Sequence, residues 1–86
     1  MIQYTNGPGN SFKNAIGILG AKNEWQGVDS EYRLLSTLYA IIGVDWDVSF
    51  QELIENKNKY YDKLVVKDSE SRVTNFYFDI SSFFGR

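Results

Sequence analysis

The sequence predicts an α+β fold in which one main amphipathic helix, about residues 24–42, packs on a three-stranded antiparallel meander. Three observations lead there. Apolar side chains recur at helical spacing from Trp25 to Ile42. The period changes to alternation at Trp46, and two polar clusters, 56–59 and 68–71, divide the remaining apolar segments into three strands. A helix and a sheet that each have one apolar side are stable when each covers the other.

The elements follow in order. Thr5-Asn6-Gly7-Pro8-Gly9-Asn10 reads as a turn, so residues 1–10 are expected to be a flexible lead-in to a single domain, 1–86. Phe12, Ala15, Ile16 and Leu19 after Ser11 fit a short helix, but Gly17 weakens it and Ile16 and Ile18 alternate as in a strand. Residues 11–19 are therefore either helix or strand, ended by Gly20. For the main helix, Asn23 is the cap and Gln26 stands three residues on, as in a capping box. Trp25, Val28, Tyr32, Leu35, Tyr39 and Ile42 form its buried stripe, widened by Leu34 and Leu38. Gly27 inside the helix costs about 1 kcal/mol relative to Ala, which allows a start as late as Asp29. Gly43 is the expected terminator.

The predicted strands span about 46–54, 60–67 and 72–80. In the first, Trp46, Val48 and Phe50 share a face opposite Asp47, Ser49 and Gln51, and the Leu53-Ile54 pair breaks the alternation, as a bulge would. In the third, Phe76, Phe78 and Ile80 face the core and Tyr77 the other side. Ser81 to Gly85 is expected to fold back and place Phe83 and Phe84 against the core.

Charge is unevenly distributed. Residues 24–55 hold seven acids and one base, a net of −6, whereas the whole chain carries −2. A pI near 4.9 disfavours general nucleic-acid affinity, which needs clustered Lys and Arg. The chain has no cysteine, which fits a reducing compartment, and residues 1–10 lack a leader's basic start and apolar run. Its longest apolar stretch, 38–44, is too short to span a bilayer. A cytoplasmic protein without a membrane partner is expected.

No residue pattern names a reaction. With no His, no base is evident beside a nucleophile. Asp45-Trp46-Asp47 puts two acids on one face of a strand, yet calcium takes six to eight oxygens, so both acids read as solvated. The glycine clusters 7–9 and 17–20 lack the Lys-Ser/Thr ending of a phosphate loop. Tyr60, Tyr61 and Tyr77 near Lys57, Lys59 and Lys63 make a basic–aromatic patch, for which core packing is the commoner explanation. No enzyme activity, cofactor or metal is expected.

The runs Asn23-Glu24-Trp25-Gln26-Gly27, Glu31-Tyr32, Gly43-Val44-Asp45-Trp46, Gln51, Lys59-Tyr60-Tyr61-Asp62, Tyr77-Phe78-Asp79-Ile80 and Phe83-Phe84-Gly85 resemble small bacterial immunity proteins of polymorphic and contact-dependent toxin systems. The resemblance covers about residues 12–85. It implies a cognate toxin domain, often a basic nuclease, held by one face of the chain. Contact surfaces diverge most in such families, so no contact residue transfers from it.

The leading expectation is an immunity-type inhibitor that blocks a basic toxin domain. Asp29, Glu31, Asp45, Asp47, Glu52 and Glu55 would steer and pair with Lys and Arg, while Trp25, Trp46 and Tyr61 would supply buried contact. The alternatives are a phage anti-defence protein that mimics nucleic-acid charge, and a non-catalytic accessory subunit or homodimer paired through an edge strand. The expected state is a monomer or homodimer.

Overall fold

A computed structural model describes residues 1–5 and 7–85. One helix, α1 (Glu24–Ile42), lies across a five-stranded mixed sheet. Its strands are β1 (Gln3–Tyr4), β2 (Ile16–Leu19), β3 (Trp46–Asn56), β4 (Lys59–Asp68) and β5 (Val73–Asp79), in spatial order β1-β2-β5-β4-β3. The predicted α+β class and the meander β3-β4-β5 are both present. The sheet is larger than predicted, because β2 joins β5 in parallel and β1 pairs antiparallel with β2. No helix among the described residues is long and apolar enough to cross a membrane.

The two N-terminal strands resolve the choice left open for residues 11–19. Ile16 and Ile18 are both buried in the core, as period-two alternation requires, so 16–19 is a strand rather than a helix. Gly17 between them donates its N–H to Thr5 Oγ1 at 2.7 Å. The segment expected to be a flexible lead-in supplies β1. Tyr4 Oη donates to the Ser30 carbonyl of α1 at 2.7 Å, and Tyr77 N–H donates to the Gly9 carbonyl at 2.7 Å. Asn6, within the expected turn, lies outside the described residues.

Helix α1 starts where the Asn23 cap predicts. Asn23 Oδ1 accepts from the Gln26 N–H at 2.9 Å. The Gln26 side chain accepts from the Lys22 N–H instead of reaching Asn23, so the box is shifted by one residue. Gly43 ends the helix in the left-handed region (φ 83°) and donates to the Tyr39 carbonyl at 2.8 Å. Gly27 belongs to the helix for a packing reason: a Cβ there would clash with the ring of Phe83. Phe83 comes from the closing turn and is buried, while Phe84 stacks on Tyr60 at 4.3 Å, as the fold-back of 81–85 anticipates.

The buried face of α1 differs from the predicted stripe at both ends. It runs through Gly27, Ser30, Glu31, Leu35 and Tyr39. Trp25 lies about 200° around the helix from Gly27 and is 74% exposed. Ile42, in the last turn, is also exposed.

The second correction concerns β3. Its bulge falls between Val48 and Phe50, not at Leu53-Ile54. Ser49 is the extra residue, and its Oγ donates to the Val65 carbonyl at 3.1 Å. Inserting one residue reverses the facing of every later side chain. Trp46 and Val48 therefore face α1, but Phe50 turns to the outer face opposite Val65. Gln51, Leu53 and Glu55 take the helix side opposite Leu64, Asp62 and Tyr60. The β3-β4 hairpin closes on Lys57 and Asn58, both at positive φ (52° and 64°), as a twist-matched two-residue loop requires.

Candidate interaction site

Strand β3 is the outermost strand of the sheet, so one whole side of its backbone has no strand partner. It is 11 residues long, against two for β1 on the opposite edge. Together with the preceding Asp45 it carries four acids, Asp45, Asp47, Glu52 and Glu55, and no base. All four are exposed. Asp47 stands opposite Lys67 and Glu52 opposite Lys63 across the ladder. Among the described residues, none of the four forms an ion pair. Between them Phe50 is 56% exposed on the outer face and Leu53 is 53% exposed on the helix side. Trp46 is half-buried, stacked on Tyr39 at 5.7 Å, with one flank left at the strand's start.

Five of the nine predicted contact residues thus gather on this edge: Asp45, Trp46, Asp47, Glu52 and Glu55. The other four do not. Trp25 and Asp29 line a separate groove of about 500 Å³ between α1 and the N-terminal segment, and Asp29 is paired with Arg33 at 2.7 Å. Tyr61 is buried because Phe12 folds over the outer face of the sheet, 5.1 Å from the Tyr61 ring and 5.0 Å from Tyr77. Glu31 is wholly buried and has no access to a cation approaching the surface. The −6 segment is therefore not one acidic face; its surface charge is divided among α1, the edge and both sides of β3.

The basic–aromatic patch also resolves. Tyr60 is stacked on Phe84, Tyr61 and Tyr77 hold Phe12, and Lys63 Nζ sits 5.8 Å from the centre of the Tyr77 ring. The rings are engaged within the molecule, which leaves no bare stacking platform there.

Nothing in the residue pattern marks the pair formed by Glu31 and Asp62. Glu31 is 0% exposed and Asp62 5%. They meet between the middle of α1 and the middle of β4. Neither Glu31 oxygen has a hydrogen-bond partner of ordinary geometry, although Asp62 is near enough to share a proton with it. Burial, then hydrogen bonding to Asp62 and its negative charge, pushes the Glu31 carboxyl up to about 10. It is accordingly protonated at neutral pH. Tyr32, next along the helix, is also raised, chiefly by burial and then by the charges of Glu31, Asp62 and Asp47.

Asp62 reaches solvent through a cleft of about 220 Å³ beside the β3 edge. Val28 of α1, Leu53 of β3, and Ile80, Phe83 and Phe84 of the closing turn supply its apolar walls. Glu24 and Gln51 stand at the polar positions of the lining. Among the described residues, no three His, Cys, Asp or Glu side chains are placed to hold a metal ion. Comparison with protein-family models, with curated proteins and with solved structures finds no match to this chain.

Proposed function

We propose that the protein is a non-catalytic inhibitor of the immunity type, which holds a cationic toxin domain against the acidic β3 edge and so covers that domain's active site. The observation that carries this reading is the edge itself: a long strand with one side of its backbone open, four acids without an ion pair among the described residues, no base, and two exposed apolar side chains between them. Unpaired N–H and C=O groups offer main-chain bonds to an added segment, and Phe50 and Leu53 offer apolar contact on either side of it. The acids select a basic partner and speed its approach.

The same feature argues against the two alternatives. Two copies of β3 paired edge to edge would bring like charges together, which is unfavourable across strands. A nucleic-acid mimic needs a row of carboxylates on one surface, whereas Asp47 and Glu52 face outward and Glu55 faces the helix side.

Co-purification from the source cells with wild-type protein and an Asp47→Lys/Glu52→Lys variant tests the proposal. The expected partner is a basic protein that binds wild type with an association rate falling as salt rises, by tenfold or more in a steered complex. It should arrest growth when expressed alone, be relieved by wild type, and not be relieved by the variant. A partner retained equally by the variant, or one harmless to cells, would contradict the proposal.

A further inference from the structure

We infer that the cleft between α1 and β3 receives one cationic side chain with an apolar stem, and that Asp62, paired with the buried Glu31, forms its anionic floor. This deepens the proposed edge-binding function, on which it rests for the source of the cation: a lysine or arginine carried by the segment that docks along β3.

The geometry favours such an occupant in three respects. First, Val28, Leu53, Ile80, Phe83 and Phe84 make the walls of the cleft apolar, which suits the methylene stem of a long basic residue. Second, two carboxyls, Glu24 and Asp62, belong to the lining of the cleft, and no base does. Third, Asp62 lines the cleft while only 5% exposed, and its partner there is a second acid, Glu31, rather than a cation. A buried charge is costly unless it is paired, so a cation that supplies the pairing is favoured. An ammonium brings three N–H donors and a guanidinium five. A bare divalent ion is a poorer fit, because no three carboxyls are placed to ligate one among the described residues.

The groups facing Glu31 are Asp62 from β4 and Tyr32 from its own helix. No lysine or arginine pairs with either acid among the described residues. In the free protein Glu31 therefore keeps its proton. An arriving cation favours the ionised carboxyl, so that proton leaves to solvent and one charge replaces another in the buried site. Binding is then tighter as pH rises, until the cation itself loses its charge.

Butylammonium, which reproduces the end of a lysine side chain, is the probe. It is titrated into isotopically labelled full-length protein at neutral pH and constant ionic strength, and followed by nuclear magnetic resonance. The expected result is a saturable shift confined to Val28, Leu53, Ile80, Phe83 and Phe84. The Glu31 carboxyl should titrate lower in the presence of the probe, by about one pH unit for each tenfold preference for the ionised form. Asp62→Asn should weaken the probe about tenfold or more, and Glu31→Gln, neutral and of the same shape, should abolish proton release on binding. Tetramethylammonium, equally charged but without N–H groups, should leave the cleft unmoved. Cleft signals unmoved by butylammonium, or moved equally by tetramethylammonium, would overturn the inference, and wild-type protein alone decides this. The result is independent of the edge proposal, whose variants at Asp47 and Glu52 lie on the outer face.

Discussion

Asp68 and Glu31 are both buried acids in this small sheet, and their surroundings are opposite. Asp68, at the end of β4, is saturated with donors. Its Oδ1 accepts from the N–H groups of Glu70 (2.8 Å) and Arg72 (3.1 Å), and its Oδ2 from Arg72 Nε (2.8 Å). Burial pushes this carboxyl up, but the Arg72 and Glu70 donors and the Arg72 charge outweigh it and hold Asp68 below its usual range. Glu31 has burial and a neighbouring acid, with no donor to offset either. Asp68 completes a turn in which Ser71 sits at positive φ (64°). Glu31 meets only Asp62, another acid. A buried acid met by N–H donors on both oxygens maintains the fold; one met only by a second acid leaves the pair without a cation.

Removing the cleft wall that Phe83 shares with Asp62 has the largest expected effect. Phe83→Ala should cost about 3–5 kcal/mol in denaturant unfolding, because a fully buried ring is lost. It should also admit water to Glu31 and lower its titration midpoint, while leaving Asp68 unchanged. Loss of stability without that shift would separate the ring from the acid pair.

The two acids also predict pH dependences of opposite sign. Glu31 is raised in the folded state, so the folded protein retains a proton that the unfolded chain releases. Stability should therefore fall as pH rises from the ordinary carboxylate range toward about 10, by up to about 1.4 kcal/mol per pH unit. Glu31→Gln should flatten that slope and be the more stable protein in alkali, as thermal midpoints across pH would record. An equal slope in both proteins would remove Glu31 as its cause.

Gly27→Ala should destabilise by about 1–3 kcal/mol through overpacking against Phe83, despite the better helix propensity of alanine. A stabilised variant would mean that Phe83 yields easily. The smallest effect belongs to Asp68. Its lowered folded value gives a stability contribution present above the ordinary carboxylate range and lost as pH falls through the folded value. Asp68→Asn should therefore lower the thermal midpoint at neutral pH and differ less from wild type in acid.

Much of this architecture was legible in the sequence. Local signals carried it: the Asn23 cap, the Gly43 terminator and the change of period at Trp46. The features that escaped depend on long-range packing. The Ser49 bulge reverses Phe50 and Leu53, but nothing in the alternation Trp46, Val48, Phe50 distinguishes a bulge from a regular strand. The pairing of β2 with β5 joins segments about sixty residues apart, beyond any window of periodicity. Tyr61, expected at a partner contact, is instead covered by Phe12, a ring distant in sequence. Glu31 escapes sequence reading for a chemical reason: a carboxyl on a helix is ordinarily solvated, so the pattern of buried residues passes it by. The signal that existed was its spacing, four residues after Gly27 and four before Leu35.

Carbon-13 nuclear magnetic resonance of the Glu31 side-chain carboxyl, followed across pH in the folded protein, tests the contrast between the two buried acids most directly. The environment described above predicts a midpoint near 10. A midpoint in the ordinary carboxylate range would show that water or a hidden donor reaches Glu31, and would contradict both its pairing with Asp62 and the role assigned to the cleft beside that pair.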